Sequence, residues 1–233
     1  MYKNKRILAI IPARGGSKGI PKKNIIDILN KPLLHYSIKS AKESKYLDKI
    51  IISTDDKEIA EVAENLGIDV PFLRPEELAT DTSKSIEAFI HSIKEEKKNG
   101  NIYDYILLLQ NTSPLRQGWH IDEAIEKLLE SNERSLVSVN EVNEHPSIMR
   151  TIANDGILKN LIDSNGDIRR QDFSKIYIVN GAIYIQKNDN NLNLETNLNG
   201  GDIPYIMEHK YSIDIDNYLD LEIATHYLKE MTE

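Results

Sequence analysis

Two rhythms of apolar and polar positions alternate along this chain. Continuous apolar runs of strand length occur at Ile7–Ile11, Ile50–Ile52 and Tyr105–Leu109. Such runs suit parallel strands covered on both faces. Between and after them, apolar residues recur at helical spacing: Leu34, Ile38 and Ala41; Ile59, Val62, Ala63 and Leu66; Ile86, Phe89, Ile90 and Ile93; Ile121, Ile125, Leu128 and Leu129. Pro32 marks the start of the first helix. Thr54-Asp55-Asp56 offers caps for the second and Gly67 ends it, while Asp81-Thr82 opens the third. A further strand fits Ser135–Val139. This order predicts an α/β fold, a doubly wound, mostly parallel sheet of Rossmann-like type, in a single domain over residues 1–233. Ligands of such sheets bind outside the carboxyl ends of the strands. The loops at 12–24, 53–56, 74–85 and 110–118 are therefore the first places to look for chemistry.

After Asn140 the rhythm breaks. Residues 141–178 hold the turn signals Asn154-Asp155-Gly156 and Asn165-Gly166-Asp167 between short mixed runs. They predict an insertion of β-hairpin type, suited to dimerisation. Strand character resumes at Gly181–Ile185. The Asn- and Gly-rich stretch Asn188–Gly201 predicts an exposed, mobile loop. Ile213–Ile215 forms a short apolar segment around Asp214, with Asp216 beyond it, and a last helix carries Leu219, Ile223, Ala224, Tyr227 and Leu228.

Composition narrows the class. The chain has 233 residues and a net charge of −8. The charge is unevenly spread: residues 1–26 contain seven bases (Lys3, Lys5, Arg6, Arg14, Lys18, Lys22 and Lys23) and no acid, and the rest carries −15. An acidic protein with a basic head lacks the broad basic face that nucleic acid or an anionic membrane would need. It leaves room for one local anion site. The absence of cysteine excludes disulfides, thiolate metal sites and Cys nucleophiles. No apolar run approaches the roughly 20 residues that span a bilayer, so a cytoplasmic protein is expected.

The loop after the first strand, Pro12-Ala13-Arg14-Gly15-Gly16-Ser17-Lys18-Gly19-Ile20-Pro21-Lys22-Lys23-Asn24, carries the strongest chemical signal. Its glycines allow close backbone approach and expose N–H donors. Arg14 can grip phosphate in a fork, and Lys18 and Lys23 add point charges. The pattern suits a pyrophosphate or triphosphate, yet it is neither a Walker A loop nor GxGxxG, and the alternative is a solvated surface loop. Asp214 and Asp216, two apart in an extended segment, would face one side and could share a metal. Alone, the pair reads more readily as edge carboxylates capping the last helix than as a metal site. Asp55 reads as a helix N-cap or as a group near that metal.

These residues resemble the motifs of the acylneuraminate cytidylyltransferases, the CMP-sialic acid synthetase family. The resemblance takes in the loop above and then Ser53-Thr54-Asp55. It continues with Leu73-Arg74-Pro75, Leu78-Ala79 and Asp81-Thr82, and with Leu109-Gln110-Asn111-Thr112-Ser113-Pro114-Leu115-Arg116. It ends with Asn180-Gly181-Ala182-Ile183-Tyr184 and Ser212-Ile213-Asp214-Ile215-Asp216. Six motifs fall in family order over nearly the whole chain.

The resemblance implies a nucleotidyltransferase fold and a reaction in which the anomeric hydroxyl of a nonulosonic acid attacks the α-phosphorus of CTP. It implies Mg²⁺ or Mn²⁺ on Asp214 and Asp216, and catalytic roles for Arg14, Lys23 and Asp214. Nucleotide contacts would come from Ala13, Arg14, Gly15, Gly16, Ser17, Lys18, Asn24 and Arg74. Acceptor contacts would come from Ser85, Gln110, Thr112, Ser113, Arg170, Gln171 and Asn180. It also implies a homodimer in which Arg169 or Arg170 acts across the interface.

Two departures stand out, of which the first bears on the acceptor and the second restores a backbone N–H of local consequence. Ile178-Val179 stands where the family often has Arg-Pro, and Asn111 replaces a usual Pro. The Gln171-Asp172-Phe173 stretch and Ile178 look more like the branch that handles legionaminic or related acids. The competing readings are a 3-deoxy-octulosonate cytidylyltransferase, a nucleotide-binding protein without turnover, and a dinucleotide oxidoreductase, which the missing GxGxxG disfavours.

Overall fold

The computed structural model describes residues 2–17, 19–162 and 173–231. Its centre is a six-stranded sheet. In chain order the strands are β1 (Ile7–Pro12), β4 (Lys49–Ser53), β5 (Tyr105–Leu108), β6 (Ser135–Glu141), β9 (Tyr177–Lys187) and β10 (Ile203–Ile206). Their spatial order is β10-β6-β9-β5-β1-β4. β1 pairs in parallel with β4 and β5, and β10 with β6. β9 runs antiparallel to both of its neighbours. Two-stranded ribbons lie outside this sheet: β2 (Asp27–Ile28) with β3 (Lys31–Pro32), and β7 (Arg150–Ile152) with β8 (Leu158–Asn160). The predicted doubly wound, mostly parallel α/β sheet is present, and the β7–β8 hairpin falls inside the predicted insertion.

Alternation along β1 explains the layers. Ile7, Ala9 and Ile11 face one side, where α1 (Leu33–Glu43), α2 (Lys57–Asn65) and α4 (Gly118–Ser131) bring Leu34, Ile38, Ile59, Ile121 and Ile125. Leu8 and Ile10 face the other, covered by Ile86, Phe89 and Ile90 of α3 (Ser85–Lys98). With both faces covered, every residue of β1 must be apolar, which is why the run is continuous rather than alternating. A third cluster docks α5 (Tyr218–Glu230) through Ala224 and Leu228 against Ile20, Leu33, Leu115 and Ile215.

Several local expectations shift. α3 begins at Ser85, not at Asp81-Thr82, because the backbone N–H of Lys84 is taken by Glu87 at 2.9 Å and the preceding residues turn on Ser83 and Thr80. The cap of α2 is Asp56, which accepts from Glu58 and Ile59 N–H, rather than Asp55. β10 was not legible as a strand. Ile213–Ile215 is not extended sheet but the exit of a 3-10 turn, His209–Ser212. The stretch 188–201 folds through Asx-type turns: Asp189 Oδ1 accepts from Asn191 N–H, Asn193 Oδ1 from Glu195 N–H and Asn197 Oδ1 from Asn199 N–H. Leu198 is buried and Leu192 packs beside it on the α3 face of the sheet, so this loop is anchored rather than fully exposed.

The start of α4 contains an acid-sensitive element. Gln117 N–H donates to His120 Nδ1 at 3.0 Å, and the buried His120 ring stacks on Trp119 at 3.6 Å. Burial, reinforced by the charge of Arg116, pushes the imidazole pKa down to about 3. An unfolded His titrates near 6.5. Between those values the unfolded chain binds a proton that the folded chain refuses, so stability falls as pH falls, by about 1.4 kcal/mol per pH unit from this group. His120→Asn keeps a cap acceptor and removes the titration. Denaturant midpoints between pH 4 and 7 should then fall less steeply with acid than in the parent, and an unchanged slope would count against the assignment.

Candidate functional site

The loops after β1 and β5 enclose a cavity of about 400 Å³ together with residues of the 74–85 stretch before α3. Arg14, Gly16, Ser17, Lys23, Asn24, Arg74, Thr112 and Asp216 line it. Loop 12–24 is tied to its neighbour by Ala13 N–H donating to Ser53 C=O at 3.0 Å and Gly15 N–H to Asp55 Oδ1 at 3.1 Å. A Cβ at Gly15 would lie 2.6 Å from the Asp56 carboxylate, so this approach requires glycine. Each cation here has a partner. Arg14 donates to Thr80 C=O at 2.7 Å and pairs with Asp81 at 3.2 Å. Lys23 Nζ donates to Ile215 C=O at 2.7 Å and pairs with Asp216 at 3.1 Å. Arg74 is buried, donates to Ser53 and Leu78 C=O, and leaves Nε without a partner. Burial pulls its pKa down, Asp55 opposes this, and Arg14 adds to it.

Asn24 donates to Arg14 C=O at 2.7 Å and is itself braced by Asn111, whose Nδ2 reaches Asn24 Oδ1 at 3.0 Å. Asn111 is buried, and its side chain holds the loop through Asn24. The pattern gave no signal of this, because the partner lies 87 positions away.

Beside this cavity lies a larger one of about 1220 Å³. Its walls include Ser85, Gln110, Asn180, Tyr184, Ser212, Asp214 and the loop Leu194–Asn199. Asn180 is fixed from both sides. Its Oδ1 accepts from Ser138 Oγ at 2.6 Å and from Ala182 N–H at 3.2 Å, and its Nδ2 donates to Ser212 Oγ at 2.9 Å. Gly181 has φ +78°, and a Cβ there would collide with the Gln110 side-chain oxygen, which packs over it. Burial and the charge of Asp214 push the Tyr184 hydroxyl up to about 12, leaving it a hydrogen-bond donor at neutral pH. Tyr184, Glu195 and Asn197 were not singled out by the sequence as wall residues.

Four residues, Ser83, Lys84, Ser85 and Gln110, line both cavities and form their common wall. The carboxylates divide across it. Asp214 faces the larger cavity and Asp216 the smaller. The segment is not a strand, so the expected two-residue alternation does not place them, although they are near enough for Asp216 to raise the Asp214 pKa. Burial is the larger cause of that rise, while Thr112 and Lys23 oppose it. Asp214 Oδ1 is buried with no hydrogen-bond partner, whereas the Asp216 side chain is 77% exposed. An orphaned carboxylate oxygen beside a second carboxylate fits a hard divalent cation such as Mg²⁺, which accepts one or two carboxylates with phosphate oxygens and water completing its shell. Among the described residues no group of three or more His, Cys, Asp or Glu side chains is placed to hold a metal ion.

Of the residues expected from sequence, Ala13, Gly15 and Ser113 line neither cavity. Ala13 joins the core, and Ser113 is buried with its Oγ unpartnered. Lys18, Arg170 and Gln171 lie outside the described residues.

Two solved structures share this fold. A CMP:2-keto-3-deoxy-manno-octonic acid synthetase complexed with CTP superposes with a TM-score of 0.73 at 15% identity, covering 97% of this chain and 99% of that one. The 4-diphosphocytidyl-2C-methyl-D-erythritol synthase of Anaerococcus prevotii gives 0.65 at 14% identity over 97% and 99%. In sequence, the chain is 35% identical to the N-acylneuraminate cytidylyltransferase of Streptococcus agalactiae over 211 residues, 90% of this chain but 50% of that protein. It thus spans about half the length of this curated relative. It is 36% identical over 98% of both chains to the CMP-N,N′-diacetyllegionaminic acid synthase of Legionella pneumophila. It is 35% identical to the pseudaminic acid cytidylyltransferase of Campylobacter jejuni over 93% of this chain and 94% of that one. No described helix is long and apolar enough to cross a membrane. The cytidylyltransferase family model matches residues 8–232, and with that match the chain belongs to the cytidylyltransferase family.

Proposed function

We propose that this protein transfers the cytidylyl group of CTP to a nine-carbon 2-keto acid sugar, releasing pyrophosphate. One observation carries the reading: a cation-lined cavity and a larger, mostly neutral polar cavity meet at a single wall formed by Ser83–Ser85 and Gln110. Two substrates held on either side would place a hydroxyl of one against a phosphorus of the other, and such alignment accounts for much of the barrier lowering in phosphoryl transfer.

The smaller cavity takes the nucleotide. Arg14 forks onto a phosphate and Lys23 offsets charge on the transferred group. Arg74 and Asn24, held by Ser53 and Asn111, fix the nucleoside end, and Gly16, Ser17 and Lys18 supply donors. The larger cavity takes the acceptor, with Ser85, Gln110 and Asn180 as its polar contacts, while Thr112, expected on the acceptor side, lines the smaller cavity instead. Arg170 and Gln171 are the proposed partners of its carboxylate. The anomeric oxygen forms the new bond to the α-phosphorus as the bond to the β-phosphate oxygen breaks. Asp214 and Asp216 would hold Mg²⁺, which when bound supplies Lewis-acid stabilisation of the phosphate charge.

We assign N,N′-diacetyllegionaminic acid as the preferred acceptor, on the full-length similarity to the Legionella protein and on Ile178-Val179 preceding Asn180. We also assign the insertion to self-association: Ile152 and Leu158 of the β7–β8 hairpin are 74% and 65% exposed, and Ile157 and Ile178 are exposed nearby.

Three measurements test this function. Protein incubated with CTP and Mg²⁺ should release pyrophosphate with the highest kcat/KM for legionaminic acid in a panel that includes sialic, pseudaminic and 3-deoxy-octulosonic acids. Turnover of the octulosonic acid alone would move the reading to that relative, and pyrophosphate from none would end it. Asp214→Asn should lower kcat by about 10²-fold or more while CTP affinity measured in EDTA changes little; full activity in this variant would remove the carboxylate from the site. Light scattering should give twice the 26.6 kDa chain mass, and the double substitution Ile152→Asp with Leu158→Asp should shift it toward monomer. A monomeric parent at assay concentration contradicts the dimer.

A further inference from the structure

Arg116 is 1% exposed and lies between β5 and α4, outside both cavities. Its hydrogen-bond partners are backbone carbonyls and a hydroxyl: Nη1 donates to Gln110 C=O at 3.0 Å and to Ala182 C=O at 2.8 Å, and Nε reaches Ser40 Oγ at 3.4 Å. Nη2 is buried without a partner. Burial alone lowers its pKa, with no carboxylate to offset the shift. A buried cation without a counter-ion is costly, and an apolar side chain of similar length would fill the space at lower cost. The residue's use therefore lies in the bonds it makes.

Those bonds sit where the sheet opens. The β5–β9 ladder ends at the pair Leu108–Tyr184. Beyond it Leu109 N–H turns to Ile10 C=O, Gly181 takes a positive φ, and the carbonyls of Gln110 and Ala182 leave the ladder. Arg116 Nη1 bridges those two carbonyls, which stand opposite each other two positions beyond the last pair in the same register. The Gln110 side chain packs over Gly181 and belongs to the wall between the cavities. Asn180, two residues before Ala182, accepts from the Ala182 N–H and faces the larger cavity. One guanidinium group thus ties together the backbone that carries the two amides of the acceptor side.

We propose that Arg116 is a positioning residue for the acceptor, acting through Gln110 and Asn180. This rests on the larger cavity being the acceptor site. The nucleotide side is held by other bonds, from Asn111 to Asn24, Arg74 to Ser53 and Gly15 to Asp55. Gln110 also lines the smaller cavity, but the bonds that hold Asn24, Arg74 and Gly15 do not involve Arg116, so its loss falls chiefly on the acceptor side. Displacement of aligned groups by about 1 Å can cost about 10²-fold.

The test compares Arg116→Met, which keeps length and removes the donors, with Arg116→Lys and with Ser40→Ala, which frees the Nε end. Steady-state constants for both substrates are measured, together with CTP affinity by calorimetry in the absence of acceptor. For Arg116→Met we expect the acceptor KM to rise about tenfold and kcat to fall by about tenfold or more, with CTP affinity within about twofold. Arg116→Lys should recover part of the loss, and Ser40→Ala should raise the acceptor KM alone by a small factor. If Arg116→Met does not fold, the other two variants carry the same comparison. Equal loss of affinity for CTP and acceptor, or a lowered Tm with unchanged constants, overturns the assignment while leaving the proposed function standing. A parent protein that turns over no nonulosonic acid overturns both.

Discussion

The reversed direction of β9 governs the rest of the architecture. Its neighbours β5 and β6 are aligned with each other, so a strand inserted antiparallel between them brings its amino end, not its carboxyl end, to the sheet edge where the loops gather. Tyr177–Gly181 therefore stands beside Gln110 and Asp214. The register shift between Val137 and Val139 bends β6 and β9 at this level. Ser138, at that shift, gives its hydroxyl proton to Asn180 and accepts from Ile183 N–H. The edge carries two compartments on either side of Ser83–Ser85 and Gln110, one built from loops after parallel strands and the other from the start of β9 and the loop that follows its end.

The exposed cations of the smaller cavity are poised rather than locked. Arg14–Asp81 and Lys23–Asp216 are pairs with at least one well-exposed partner. Pairs of this kind contribute only about 0–1 kcal/mol. Under the proposed function, exchanging Asp81 or Asp216 for a phosphate oxygen would cost little, and a phosphate with its higher charge and bidentate geometry would offer more. Arg74 differs: it is buried among carbonyls and sits in a lowered-pKa environment, so its position is set before any ligand arrives. The cavity combines one fixed cation with two that can be redirected.

The legible part of the fold was the part determined by local pattern. β1, β4 and β5 are continuous apolar runs because both their faces are covered, and α1, α2 and α4 show their buried stripe directly. The start of α3 was misplaced because Asp81-Thr82 looks like a cap, whereas these residues serve the clasp on Arg14 and the turn around Ser83. β10 is too short and mixed, with Pro204 inside it, and exists as a strand only because β6 offers an edge. At the site, glycine-rich and charged motifs could be read. What could not be read were the braces: Asn111 on Asn24, Arg116 on Ala182 and Ser138 on Asn180 join residues 42 or more positions apart. Ordinary residue types at unremarkable positions carry these contacts, and only the folded chain brings them together.

The basic head illustrates the same limit. Seven positive charges precede the first carboxylate, and their crowding in sequence suggested one anion site. In space they scatter. Lys5 pairs with Asp104, and Lys3 lies near Glu130 and over the Tyr2 ring. Arg6 stacks on Tyr103 at 4.8 Å, and Lys22 pairs with Glu58 at 2.6 Å. Of the described members only Arg14 and Lys23 line the smaller cavity. The acidic remainder supplies the partners of the others, so segregation of charge along the chain becomes neutralisation across the surface. The electrostatic character of the site comes instead from Arg14, Lys23 and Arg74 converging from two separate loops, with Asp216 paired to Lys23 among them. The site is a local arrangement in three dimensions, and the net charge of any one segment is a weak guide to it.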